Sequence, residues 1–235
     1  NNNNSTITTL TNNGTIKGSA GTDSGFGTRL SNNATITNLT NTGNITGTAV
    51  NDGGYGIRLV TNSTITTLTN DGTISGTAGN DSGLGISLRN STITNLTNND
   101  TISGTAGNNN GDAIVLFTNS EITTLTNNGT ISGTATVDSA RGILLSSNTT
   151  IGTLTNNGTI SGTAGDNGGV GIDLVLNNAT ITTLINTGTI SGTAVNNTGI
   201  GISMDNATIT NLTNTGTITG TAATNAFDIR LFAAS

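Results

Sequence analysis

The acids and the threonines are the side chains in this sequence whose spacing could do chemistry. Four aspartates, Asp23, Asp52, Asp81 and Asp138, hold one place in a stretch that recurs about every 29 residues. Stacked in a column, they would offer the oxygen ligands that calcium takes. Acids that converge in pairs across a groove could instead hydrolyse a glycosidic bond. The sequence has no His, no Cys and no Trp, its single Glu is Glu121, and most Asp residues stand singly in variable segments such as Asp166. Tyr55 is the sole tyrosine, too little to make the aromatic platforms of a sugar-cleaving groove. The expectation is therefore a protein that is not an enzyme, with no catalytic residue, no cofactor, and a metal role confined to those four aspartates. Solvated turn residues are the simpler reading of the same acids, because Asn109 and Asn197 replace them in other copies.

The second candidate is a Thr-x-Thr pattern: Thr6 and Thr8, Thr35 and Thr37, Thr64 and Thr66, Thr92 and Thr94, Thr180 and Thr182, Thr208 and Thr210. On a flat strand these would form two files of hydroxyls and methyls, the kind of array that ice-binding β-solenoids use. Glu121 and Gly152 interrupt the files. Threonine is also a favoured residue on any exposed β-surface, so a plain strand-forming face is the competing account.

What must position these residues is a repeat. Ile7, Ile36, Ile65, Ile93, Ile122, Ile151, Ile181 and Ile209 anchor successive copies, at intervals of 28 to 30 residues. Counting from each anchor, a Leu follows at +3, an Asn at +5, an Ile at +9, a Gly at +11 and an Ala at +13 in every copy. Ile, Val and Thr dominate, and apolar residues alternate with polar ones, which is the period of β-structure. In the third copy three strands are expected. The first carries Ile65, then Leu68 and Asn70 inward, with a corner or bulge between Ile and Leu. The second carries Ile74, Gly76 and Ala78 inward, and the third Leu84, Ile86 and Leu88.

Three strands and three corners in about 29 residues predict one coil of an all-β parallel β-helix, a solenoid of eight coils forming one domain over residues 1–235. Coils about 4.8 Å apart would give a rod of roughly 38 Å. The asparagines at +5, Asn12, Asn41, Asn70, Asn98, Asn127, Asn156, Asn186 and Asn214, are expected to stack as a structural ladder of side-chain amides. The glycine at +7, replaced by Asp100 in the fourth copy, is expected to need positive φ. Arg29, Arg58 and Arg89 are expected to face solvent. Asp112 and Arg141 at +19, where other copies hold Phe, Tyr, Leu, Val or Ile, suggest a tolerant position near a corner. The closing segment "AFDIRLFAAS" shifts its strand by one residue, the mark of an altered coil or the start of a cap.

Composition narrows the partners. The net charge is −6 with six Lys and Arg in all, which argues against nucleic acid. No apolar run approaches 18 residues, so membrane insertion by this segment is not expected. The opening Asn1-Asn2-Asn3-Asn4 reads as an excised or processed piece of something longer.

"TLTNNGTISGTA" followed, in another copy, by "GLGISLRNSTI" resembles the repeats of autotransporter and filamentous-haemagglutinin-like passenger domains of bacterial surface proteins. The resemblance covers essentially the whole chain. It implies a right-handed β-helix outside the cell, acting as a stalk, adhesin or fibre segment in adhesion or aggregation. The partners implied are further copies or neighbouring repeats through self-association, and host-cell or surface ligands. "GNDSG" at residues 79–83 also resembles calcium-binding β-roll repeats, but their nine-residue period is absent.

Overall fold

In a computed structural model, described over residues 4–176 and 178–232, twenty-four strands follow one another from Thr6–Asn12 to Asn225–Phe232 with no helix among the described residues. Every third strand enters the same sheet, giving three parallel eight-stranded sheets, each ordered by coil. The chain is an eight-coil parallel β-solenoid. The third coil shows the plan: Thr64–Asn70 lies in the first sheet, Thr73–Ala78 in the second and Gly83–Arg89 in the third.

Register follows the repeat without slippage. Ile36 pairs with Ile65, Leu39 with Leu68, Ile45 with Ile74 and Ala49 with Ala78. Ile65, Leu68, Ile74, Ile86 and Leu88 are all fully buried, so the core is a set of aliphatic columns running along the axis. A one-residue slip would turn whole columns outward, which is why intervals of 28 to 30 residues are absorbed in corners and never inside strands.

Two strands per coil bend. In the first sheet the ladder skips the residue after the anchor, Thr37 or Thr66 for example, so Ile65 and Leu68 both face inward three residues apart. The expected bulge between Ile and Leu is there. In the third sheet the ladder skips the residue at +20, Gly56 or Gly85. A Cβ on Gly56 would lie 2.8 Å from the Ile74 Cγ2 inside the core, and Ala113 at this position is fully buried. Two consecutive residues, Gly85 and Ile86, therefore point in, and Leu84 points out. The expectation that Leu84 faces the core is corrected by that bend: it packs instead with Val115 and Leu144 in a separate cluster.

The +11 glycines set how thin the solenoid is. A Cβ on Gly104 would stand 1.9 Å from the Asp112 carbonyl oxygen and 2.4 Å from that of Gly83. Second and third sheets touch there backbone to backbone, and no side chain fits between them.

Corners are made differently from the expectation. No glycine has positive φ among the described residues. The +7 glycine serves close approach between coils: a Cβ on Gly129 would be 2.1 Å from the Asp100 carbonyl oxygen. Positive φ sits instead at the corner between third and first sheets, at Asn32 and Asn33, Thr61 and Asn62, and Thr118 and Asn119. Asparagine tolerates this region because its short amide bonds to local backbone. The last strand, Asn225–Phe232, keeps register with Thr198–Asp205, so the shift in the sequence is taken up in the preceding turn as an altered coil. Ala233 to Ser235 and Asn1 to Asn3 lie outside the described residues.

Candidate functional site

The asparagines form one continuous ladder. Asn70 Nδ2 donates to Asn98 Oδ1 at 2.8 Å, to the Gly72 carbonyl at 2.8 Å and to the Thr101 carbonyl at 3.0 Å. The same set recurs from Asn12 to Asn186, and Asn214 receives the last amide. Each amide ties its own turn to the next coil, and all point the same way along the axis. From Asn12 to Asn186 this polar column is buried and each amide is used within it, while Asn214 at its end is exposed.

The loop aspartates do not converge. Asp81 accepts from Asn109 Nδ2 at 3.0 Å and Asp138 from Asn167 Nδ2 at 2.6 Å. Among the described residues no group of three or more His, Cys, Asp or Glu side chains comes together. Asp23 and Asp52 occupy the same loop column at the edge of the third sheet. The paired threonines stand on the outer side of the first sheet. Thr8, Thr37, Thr66, Thr94, Thr182 and Thr210 fall where the ladder skips, so their file runs along the bend while Thr6, Thr35, Thr64, Thr92, Thr180 and Thr208 run beside it.

The chemistry is concentrated elsewhere. All five aromatic rings, Phe26, Tyr55, Phe117, Phe227 and Phe232, and all five arginines, Arg29, Arg58, Arg89, Arg141 and Arg230, lie on third-sheet strands at outward positions. The bend at +20 makes this possible, because it releases positions +19, +22 and +24 from the core. Phe26 and Tyr55 stack with centroids 5.2 Å apart. The Arg58 guanidinium lies 4.4 Å above the Tyr55 ring, and that of Arg29 5.1 Å above Phe26. At the other end Arg230 covers Phe232 at 4.1 Å. Phe26, Tyr55, Phe227 and Phe232 each hold a guanidinium in place without neutralising it.

Between these ends is an ion cluster spanning three coils. Arg141 Nε donates to Asp173 Oδ2 at 3.0 Å, its Nη1 reaches Asp112 Oδ1 at 3.5 Å and Asn110 Oδ1 at 3.1 Å, and its backbone N–H donates to Asp112 Oδ1 at 2.9 Å. Asp112 is 2% exposed. Burial pushes its carboxyl up to about 6, against the pull of Arg141. Burial alone would lower Arg141, but Asp112 and Asp173 together hold it above its ordinary value. Position +19 is the second residue of its strand, beside the corner as expected, and its column takes many residue types; what the sequence did not show is that Asp112 is buried there, with Arg141 one coil later as its partner.

Two troughs line this face. One of about 320 Å³ is walled by Tyr55, Arg58, Leu84, Arg89, Phe117 and Leu144, with Ser87, Asn110 and Asp112 also reaching it. The other, about 290 Å³, is bordered by Arg141, Asp173, Asp205, Arg230 and Phe232. Burial lowers Arg230 from its ordinary value, against the opposing pull of Asp173 and Asp205. Arg58 Nε and Arg230 Nε are buried without a hydrogen-bond partner. Salt bridges among the described residues involve Arg141 alone, so Arg29, Arg58 and Arg89 have no carboxylate partner within ion-pair distance. The face can therefore bind an anion by forked hydrogen bonds.

Arg29 and Arg89 are exposed, as the sequence reading expects, and Arg58 is half-buried; what that reading misses is that the arginines share one face with the rings. The signal was present: rings and arginines occur in one strand type and in no other. Compared with known proteins, the chain matches no family model, no curated protein and no solved structure.

Proposed function

We propose that this solenoid is a non-enzymatic structural rod of the bacterial cell surface or extracellular matrix, a stalk, adhesin or fibre segment that acts in adhesion or aggregation. The observation that supports it most is the in-register stack of identical residues over eight coils, with the Asn ladder running through it. Such a stack resists bending and shear along its axis, because each coil is bonded to the next by three backbone ladders as well as by side chains. It also sets variable side chains at fixed intervals on one face, which suits recognition by a stiff extended surface. Asp71, Asp81, Asp138 and Asp166 accept hydrogen bonds from asparagine amides of a neighbouring coil, and Asp112 and Asp173 are held by Arg141.

Cryo-electron microscopy of cells bearing the native protein tests this reading. Rods standing off the envelope or joined in extracellular fibres, with an axial repeat of about 4.8 Å, are the expected result. Recovery of the protein as a dispersed component of the cell interior would sink it. The alternative of ice binding by the threonine files is tested by ice-crystal shaping, and a calcium-binding β-roll role by calcium-dependent melting.

A further inference from the structure

We propose that the trough around Arg58 and Arg89 binds a carboxylated polysaccharide, laid along the rod axis with its acidic groups on the arginines. The inference deepens the adhesive reading and rests on it.

Three features carry it. First, Arg29, Arg58 and Arg89 come from three successive coils and none is ion-paired, although the chain as a whole has a net charge of −6. Arg58 lines the trough half-buried and with no acceptor on its guanidinium, so an anion placed there meets donors that no protein group uses. Secondly, Phe26 and Tyr55 hold the guanidinium groups of Arg29 and Arg58, so those donors are ordered before any ligand arrives. Thirdly, Leu84, Leu144 and Phe117 form an apolar wall beside the cations, on which the C–H face of a pyranose can lie.

The geometry selects a glycan over a peptide. An extended peptide is usually held by the open edge of a sheet, and every strand bordering the trough already has a ladder neighbour on both sides. Recognition there is left to side chains. Arg29 and Arg58 are in register one coil apart, at a rise of about 4.8 Å, and Arg89 stands on the next coil two residues further along its strand, so the three guanidinium forks fit a polymer with one carboxylate on each ring.

Titration of the protein with oligogalacturonate, with neutral dextran oligomers and polyaspartate alongside, tests the proposal. Oligogalacturonate is expected to bind, dextran not at all, and polyaspartate at least tenfold more weakly. The double variant Arg58→Gln with Arg89→Gln should lose at least tenfold in affinity at unchanged melting temperature. Arg58→Lys, which keeps charge but loses the fork, should lose severalfold, and Lys17→Gln, on the second sheet, should lose nothing. No binding by the native protein, equal binding of polyaspartate, or equal binding by the double variant would overturn the assignment. Rods on the envelope without oligogalacturonate binding would remove the ligand alone. Binding by a protein found inside cells would remove the scaffold reading alone.

Discussion

The inner wall, where second-sheet strands face the third sheet, and the outer face of the third sheet follow opposite rules. On the inside, Gly76, Gly104 and Gly133 recur because a carbonyl of the facing sheet occupies the place of a side chain. On the outside, one column reads Phe26, Tyr55, Leu84, Asp112, Arg141, Val170, Ile200 and Phe227. Stacking forces uniformity only where a column has no room. Where it has room, neighbours can differ as long as each suits the next, as Asp112 suits Arg141.

The largest test of that contrast uses one kind of substitution in both regions. Gly104→Val should destabilise by on the order of 5 kcal/mol, since backbone must move, whereas Ser87→Val across the same strand pair should change stability by less than about 1 kcal/mol. Chemical unfolding of both variants checks it, and comparable losses would break the contrast. Next, Arg141→Met should cost about 4 kcal/mol by leaving Asp112 and Asp173 buried without their cation. Adding Asp112→Leu and Asp173→Leu should restore most of the loss. Asn98→Ala follows at about 3 kcal/mol, because the Asp100 and Thr130 carbonyls and the neighbouring amides lose their partner.

A pH effect belongs to the outer face. The Asp112 carboxyl holds its proton to about pH 6 when folded, against 3.8 as the ordinary value. The folded state therefore binds more protons in that window. Its stabilising contribution is full below about pH 4 and is lost as pH rises through 6, an effect of about 3 kcal/mol. Melting should rise between pH 7 and pH 4.5, and Asp112→Asn should flatten the slope. Smallest of all, Thr66→Ala on the outer first sheet should change stability by less than about 0.5 kcal/mol in the same unfolding assay.

Much of this was legible in the chain. Ile at the anchor and at +9, Leu at +3 and Asn at +5 predict strands, coil length, inward columns and the amide ladder, because stacking requires like on like. The positive-φ corner was not legible from the glycines, since it is built from Asn, Thr, Ser and, in one coil, Leu176. Nor was the orientation of Leu84, which depends on a bend that alternation alone does not reveal.

The eight-coil parallel solenoid follows from the period of the chain, because in-register stacking buries the Ile, Leu and Asn columns together. That Phe26, Tyr55, Arg58, Asp112, Arg141 and Arg230 share the outer face of one sheet came from the folded chain alone. The reason is physical: side-chain direction after a bulge is fixed by which backbone hydrogen bonds the neighbouring coil leaves unmade, and residues about 29 positions apart meet only when coils stack.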